Sequence, residues 1–136
     1  MNGFLQLGFL PRSYDAGLLV LRLWYGLSLF LNHGLAKITH ASQMANHFPD
    51  PLHIGSHASL AFGLLCDAVC SILIIVGFAT RLAALGVMII LGVAFFLVHH
   101  AKFSGPGNGE LPYLYIGAAL VLLIAGPGRY SADRSA

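Results

Sequence analysis

Charge is what this sequence has least of. Asp, Glu, Lys and Arg make up 9% of its 136 residues, against about 25% in a soluble globular domain. With 57% of the residues hydrophobic, too few polar side chains remain to wrap a core of this size in water. Lipid must supply most of the solvent. A formal net charge of +2 and the lack of any Lys/Arg run argue against a nucleic-acid surface. Cysteine is scarce as well: Cys66 and Cys70 are the two in the chain, both inside an apolar stretch. Four residues apart on a helix they share a face, a geometry poor for a disulfide. The CxxC spacing of a metal site is missing too. Both read as small packing residues. No basic residue precedes the short apolar run Phe4-Leu5-Gln6-Leu7, and the next apolar segment carries Arg22. A cleaved signal peptide is therefore not expected.

What is present is length of apolar run. A spanning helix needs about 20 mostly apolar residues, because the hydrocarbon core is about 30 Å thick. Four segments meet or approach that length: residues 15–36, 56–78, 81–101 and 111–125. They are too uniformly apolar for the alternation of a membrane barrel strand. The spacing predicts an all-α integral membrane four-helix bundle in a single domain, residues 1–136. Gly26, Gly63, Gly86, Gly92, Gly117, Ala118 and Ala119 supply the small side chains that let helices approach in lipid. Between the first two helices lies a connection broken by Pro49 and Pro51, with a short interfacial helix expected over 41–48. The second connection is tight and the third is glycine-rich. Arg12, Arg81, Arg129 and Arg134 fall on the face shared by the termini, Lys37 and Lys102 on the other. The positive-inside rule then makes both termini cytoplasmic.

That topology sends all seven histidines (His33, His40, His47, His53, His57, His99 and His100) toward the face opposite the termini. Two charges sit within the spans, where each costs about 2.5–3.5 kcal/mol on insertion scales and turns toward the protein interior. Asp67 lies near the middle of the second helix and Arg22 about two turns into the first. Their expected depths differ by little, so a pair is expected between them. It reads either as a register-fixing ion pair or as a proton-handling or ligand-binding carboxylate with its cation. A third reading lets Arg22 snorkel to the headgroups and leaves Asp67 protonated. At the outer level, His33 and Lys37 share one helix face, His99 and His100 close the third helix, and Glu110 opens the fourth. A quinone headgroup needs donors to two carbonyls and a proton route, and this set could supply both. The plainer alternative is a polar belt solvating the helix ends. The loop residues His40, His47 and His53 read as solvated, and the aromatic residues Trp24, Tyr25, Phe30, Phe95, Phe96, Tyr113 and Tyr115 as packing and interface groups, with an apolar slot for an isoprenoid tail as an alternative use of some of them.

Several stretches carry a resemblance. Arg22 is followed by Gly26, and His33-Gly34 by Lys37. The second helix ends in Ile75-Val76-Gly77-Phe78-Ala79-Thr80-Arg81, His99-His100 closes the third, and the tail reads Gly126-Pro127-Gly128-Arg129-Tyr130-Ser131-Ala132-Asp133. In these pieces, over residues 17–134, the chain resembles the DoxX family of four-helix bacterial inner-membrane proteins. Similar members usually carry glutamate in the middle of the second helix, where this chain has the shorter Asp67. The resemblance implies links to quinol oxidation coupled to thiosulfate or oxygen, and to thiol-redox complexes at the membrane.

Three functions compete. The first is a membrane subunit of a redox system that binds quinone through His33, Lys37, His99, His100 and Glu110, with Asp67 and Arg22 as a deeper proton-linked pair. No haem, flavin or dithiol motif is visible, so electrons would pass through partner oxidoreductase subunits and the chain would not be a complete enzyme alone. The second is a non-catalytic scaffold or assembly module, with the outer polar groups as a docking surface. The third is a carrier of a small ligand or of a metal such as copper. Met88 is the one methionine inside a span, which gives a methionine-lined copper path no support, and no metal ligand is assigned. The expected partners are the lipid bilayer, other redox subunits and, as a further option, copies of the chain itself.

Overall fold

The computed structural model describes residues 3–133, and its regular elements there are all helical, with no strand. They are α1 (Tyr14–Thr39), α2 (Ala41–Met44), α3 (Ser56–Val76), α4 (Thr80–Val98) and α5 (Glu110–Ala125). By length and composition α1, α3 and α4 can each cross a membrane, whereas α5, with 16 residues, is apolar but shorter.

Local chemistry sets the boundaries. The Ser13 hydroxyl accepts the Ala16 N–H at 3.1 Å and Asp15 sits in the first turn, a side-chain cap and a charge that both suit a helix N-terminus. α1 continues past the expected residue 36 to Thr39, whose hydroxyl donates back to the Leu35 carbonyl at 2.9 Å. α3 ends at Gly77, where φ is +79° and the N–H groups of Gly77 and Phe78 both return to the Leu73 carbonyl. Glycine reaches that left-handed turn without a Cβ penalty. α4 stops at Val98 rather than 101, because His100 and Ala101 adopt φ values of +52° and +56° and cannot extend a right-handed helix. The short helix expected over 41–48 is confined to α2. Pro112 sits in the first turn of α5, where its missing N–H costs nothing.

One core draws on all four long helices: Tyr25 and Leu29 from α1, Cys66, Cys70 and Ile74 from α3, Ala83, Ala84, Val87 and Leu91 from α4, Ala119 and Leu122 from α5. The two cysteines are free and buried there. α1 runs along α3 at close range. A Cβ on Gly26 would fall inside 3.0 Å of the Ile75 side chain, and one on Gly34 inside 3.0 Å of the Asp67 carbonyl. Outward faces are apolar as well, with Trp24 76%, Leu82 71% and Ile124 74% exposed. Such surfaces are a liability in water and the natural boundary with acyl chains.

α1, α3 and α4 each contain a π-helical stretch, at Phe30–Gly34, Leu65–Cys70 and Ala94–Val98. Such turns widen the helix locally and are frequent at functional sites. Here His33 and Asp67 lie within two of them.

Candidate functional site

A cavity of about 660 Å³ opens at the helix ends remote from the chain termini. Its volume falls within the range of small-molecule sites, about 300–1,000 Å³. The walls are largely apolar: Leu29 from α1, Phe62 from α3, Ile89, Val93 and Ala94 from α4, Tyr115 from α5. The α1–α3 connection adds Phe48, Pro49, Pro51, Leu52 and Ile54 on one side. Polar groups enter at a few points, chiefly His33, Lys37, Asp67 and His99.

The Lys37 ammonium donates to the Asp67 carboxylate, an ion pair whose side chains are only 13% and 10% exposed. Gly63 makes room for it, since a Cβ there would press on the Lys37 stem and on the Phe48 ring. That ring lies 5.8 Å from the ammonium, a cation–π contact. His33 lines the same space, edge-on to Tyr115 with centroids 5.9 Å apart, and its Nε2 is buried with no hydrogen-bond partner. His99 Nδ1 lies 3.0 Å from the Gly107 carbonyl. A carbonyl only accepts, so Nδ1 carries the proton and Nε2 of the neutral ring is left as an acceptor.

The connection beside the cavity is organised by Asp50, a residue sequence reasoning did not single out. One carboxylate oxygen accepts the Ile54 N–H and the Ser59 hydroxyl, the other the Gly55 N–H. Desolvation works against this charge, but the hydrogen bonds from Gly55, Ile54 and Ser59 outweigh it and hold the carboxyl below its ordinary range. Its signal was an Asp between two prolines, a residue type that hydrogen-bonds nearby backbone N–H groups in turns.

The expected Arg22–Asp67 pair does not form. Arg22 is fully buried at the opposite end of the molecule, level with Ile74 and Ile75, about 10 Å along α3 from Asp67. Its Nη1 donates to the Ile75 carbonyl at 2.9 Å and the Ile74 carbonyl at 3.3 Å, its Nε to the Pro127 carbonyl at 3.0 Å, and its Nη2 to the Tyr130 carbonyl. The cause is register: the contacts of Gly26 with Ile75 and of Gly34 with Asp67 set α1 about two turns away from the alignment that pair required. Arg22 neither snorkels nor meets a carboxylate in hydrogen-bond contact. It uses its planar fork to satisfy carbonyls at the end of α3 that would otherwise go unpaired.

Around Arg22 the tail folds back as a clasp. The Asp133 carboxylate accepts the N–H groups of Ala79 and Thr80 at 2.9 Å each, capping α4 from 53 residues away, and its own N–H donates to the Gly77 carbonyl. The Thr80 N–H, above all, holds the Asp133 carboxyl below its ordinary range. The Arg129 N–H reaches Asp15 at 3.0 Å and the Arg81 Nε donates to the Leu123 carbonyl at 2.8 Å. A Cβ on Gly77 would meet both Ser131 and Arg22. The two sequence stretches centred on Gly77 and Gly128 are thus halves of one structural device.

Among the predicted site residues, His33, Lys37, Asp67 and His99 share the cavity. His100 and Glu110 lie exposed outside its lining, and Arg22 belongs to the clasp. Phe48, Leu52, Ile54 and Tyr115 join the walls without having been singled out as site residues. Among the described residues, no three His, Cys, Asp or Glu side chains stand together as a metal site.

No curated protein and no solved structure shows significant similarity to the chain. A family model does: DoxX matches residues 17–100, more than half of the chain, taking in all of α3 and α4 and the whole polar lining of the cavity except Asn108 and Tyr115. The protein is a membrane protein and belongs to the DoxX family, which is associated with redox systems.

Proposed function

We propose that this protein is a membrane subunit of a redox complex in the bacterial inner membrane, and that its cavity binds a quinone. The observation that carries the reading is the Lys37–Asp67 pair inside an otherwise apolar cavity of about 660 Å³. A quinone offers two carbonyls that want donors, and its reduced form two hydroxyls that want acceptors. Lys37 and Asp67 present both kinds at one point, and the partnerless His33 Nε2 and the acceptor Nε2 of His99 add two more groups on the walls. Interconversion of quinol and quinone moves two protons and two electrons. Asp67, His33 and His99 are the groups able to exchange the protons, and the electrons pass to or from the redox centre of a partner subunit.

In this reading all four long helices cross the bilayer as a bundle with cytoplasmic termini. α5 is about 24 Å long at 1.5 Å per residue, so it crosses with little tilt and a local thinning of the bilayer. Arg12, Arg81 and Arg129 stand at the clasp end. Arg134, which was counted with them, lies outside the described residues. Lys37 and Lys102 stand at the other end, so the bias of basic residues favours the clasp end as the cytoplasmic one.

The scaffold reading draws on a different observation, the clasp. Arg22, Gly77 and Asp133 hold helix ends together, a structural role.

The test is titration of the purified protein in nanodiscs with a short-chain quinone and its quinol. Saturable binding weakened about tenfold or more by Lys37→Met and by Asp67→Asn is expected, a loss of about 1.4 kcal/mol or more. No saturable binding, or binding indifferent to both changes, would leave the scaffold.

A further inference from the structure

We infer that the ligand's apolar chain leaves the cavity sideways, through a slot between α3 and α4 into the hydrocarbon of the bilayer. The inference rests on the cavity reading above and adds the route: a ligand with an uncharged headgroup and a long apolar chain enters from the lipid phase rather than from water.

The helices themselves supply the argument. α3 and α4 leave their shared tight turn in contact, and that contact is concentrated in the half of α3 from Leu65 to Val76. Beyond it the cavity takes over, lined by Phe62 on α3 and by Ile89, Ile90 and Val93 on α4. Phe62 is 52% and Ile89 60% exposed, so these cavity-lining side chains also belong to the apolar surface that faces lipid. Ile89 stands nine residues into α4, about 14 Å from its start, well within a hydrocarbon layer of about 30 Å. An opening at that depth admits an acyl or isoprenoid chain and offers nothing to a water-borne polar ligand.

Charge at the inner end selects the headgroup. Lys37 and Asp67 neutralise one another, so the cavity has no excess positive charge to hold a phosphate. A phospholipid fits the slot but not the polar end. A neutral carbonyl- or hydroxyl-bearing ring fits both.

The experiment uses the full-length protein in nanodiscs, with ligand concentrations expressed per mole of lipid so that partitioning cancels. One probe is a short-chain quinone. The other is a long-chain quinone with a photoreactive diazirine midway along the chain. Crosslinks are expected at Phe62, Ile89 or Val93, suppressed by excess short-chain quinone. Ile89→Trp, which fills the slot, is expected to weaken the long-chain quinone about tenfold more than it weakens the short-chain one. Ile89→Ala, which leaves the slot open, should change the two affinities by the same factor. Crosslinks at Pro49 or Leu52, or equal affinity of the long-chain quinone for the Ile89→Trp and parent proteins, would overturn the slot while the cavity stands. Crosslinks from a diazirine phospholipid that the short-chain quinone also suppresses would overturn the uncharged-headgroup assignment. Failure of the short-chain quinone to bind at all would remove the cavity reading, and the slot with it.

Discussion

Neutralising Lys37 and Asp67 singly and together measures the contact on which the cavity depends. With side chains 13% and 10% exposed, the pair sits where an effective dielectric of about 20 applies. Two unit charges about 4 Å apart then attract by about 4 kcal/mol, against about 1 kcal/mol in water. Removing one partner strands the other, and losses of about 3–5 kcal/mol are typical. Lys37→Met and Asp67→Asn should therefore each cost about 3 kcal/mol or more. The double variant, which strands nothing, should cost no more than either, giving a coupling energy of about 3 kcal/mol. Asp67→Asn combined with Arg22→Met should instead be additive within about 0.5 kcal/mol, as for residues without a shared partner. The assay is equilibrium unfolding in mixed micelles with increasing SDS, followed by helical circular dichroism. Additivity at Lys37–Asp67, or strong coupling at Arg22–Asp67, would refute the helix register described above.

Other perturbations probe the same frame. Gly34→Ala drives a methyl into the Asp67 carbonyl and should cost about 1–3 kcal/mol as overpacking, whereas Gly117→Ala, with open space around it, should be neutral or stabilising by up to about 1 kcal/mol; thermal melts of both in detergent make the comparison. Arg22→Lys keeps the charge but loses the fork that reaches four carbonyls. It should destabilise by about 3 kcal/mol and make the Arg129 bond far more sensitive to trypsin. Asp133 has a carboxyl pKa below its ordinary value, so its contribution is complete above about pH 4 and is lost as pH falls through the lowered folded value. Melting temperature against pH should show this acid-side loss in the parent protein and a shallower one in Asp133→Asn.

Much of the fold was legible because its signals are local. Runs of about 20 apolar residues, a serine ahead of Asp15, and Gly77 and Gly126 at helix ends mark α1, α3, α4 and α5 to within a few residues. The exceptions are also local in origin but weaker in sequence. Nothing in Val98-His99-His100-Ala101 announces two consecutive left-handed residues, and Thr39 extends α1 by returning a hydrogen bond to its own helix. The site was half legible. Lys37 and Asp67 stood out as a cation at a helix end and an anion in a span, but they were not matched to one another. Depth alone cannot distinguish two cations on the same helix when α1 can slide along α3 in steps of a turn. Two glycines decide it, Gly26 against Ile75 and Gly34 against Asp67, and their contacts are visible only once the helices are packed.

Composition and hydropathy by themselves determined that this chain is helical and belongs in lipid, since backbone polar groups there must be satisfied within each segment and the side chains offer no other solvent an adequate surface. The tertiary structure alone decided which charges meet. It sent Arg22 to the clasp and Lys37 to Asp67, because burial leaves each ionised group to whatever partner the helix register brings within reach, and register is a property of two helices together.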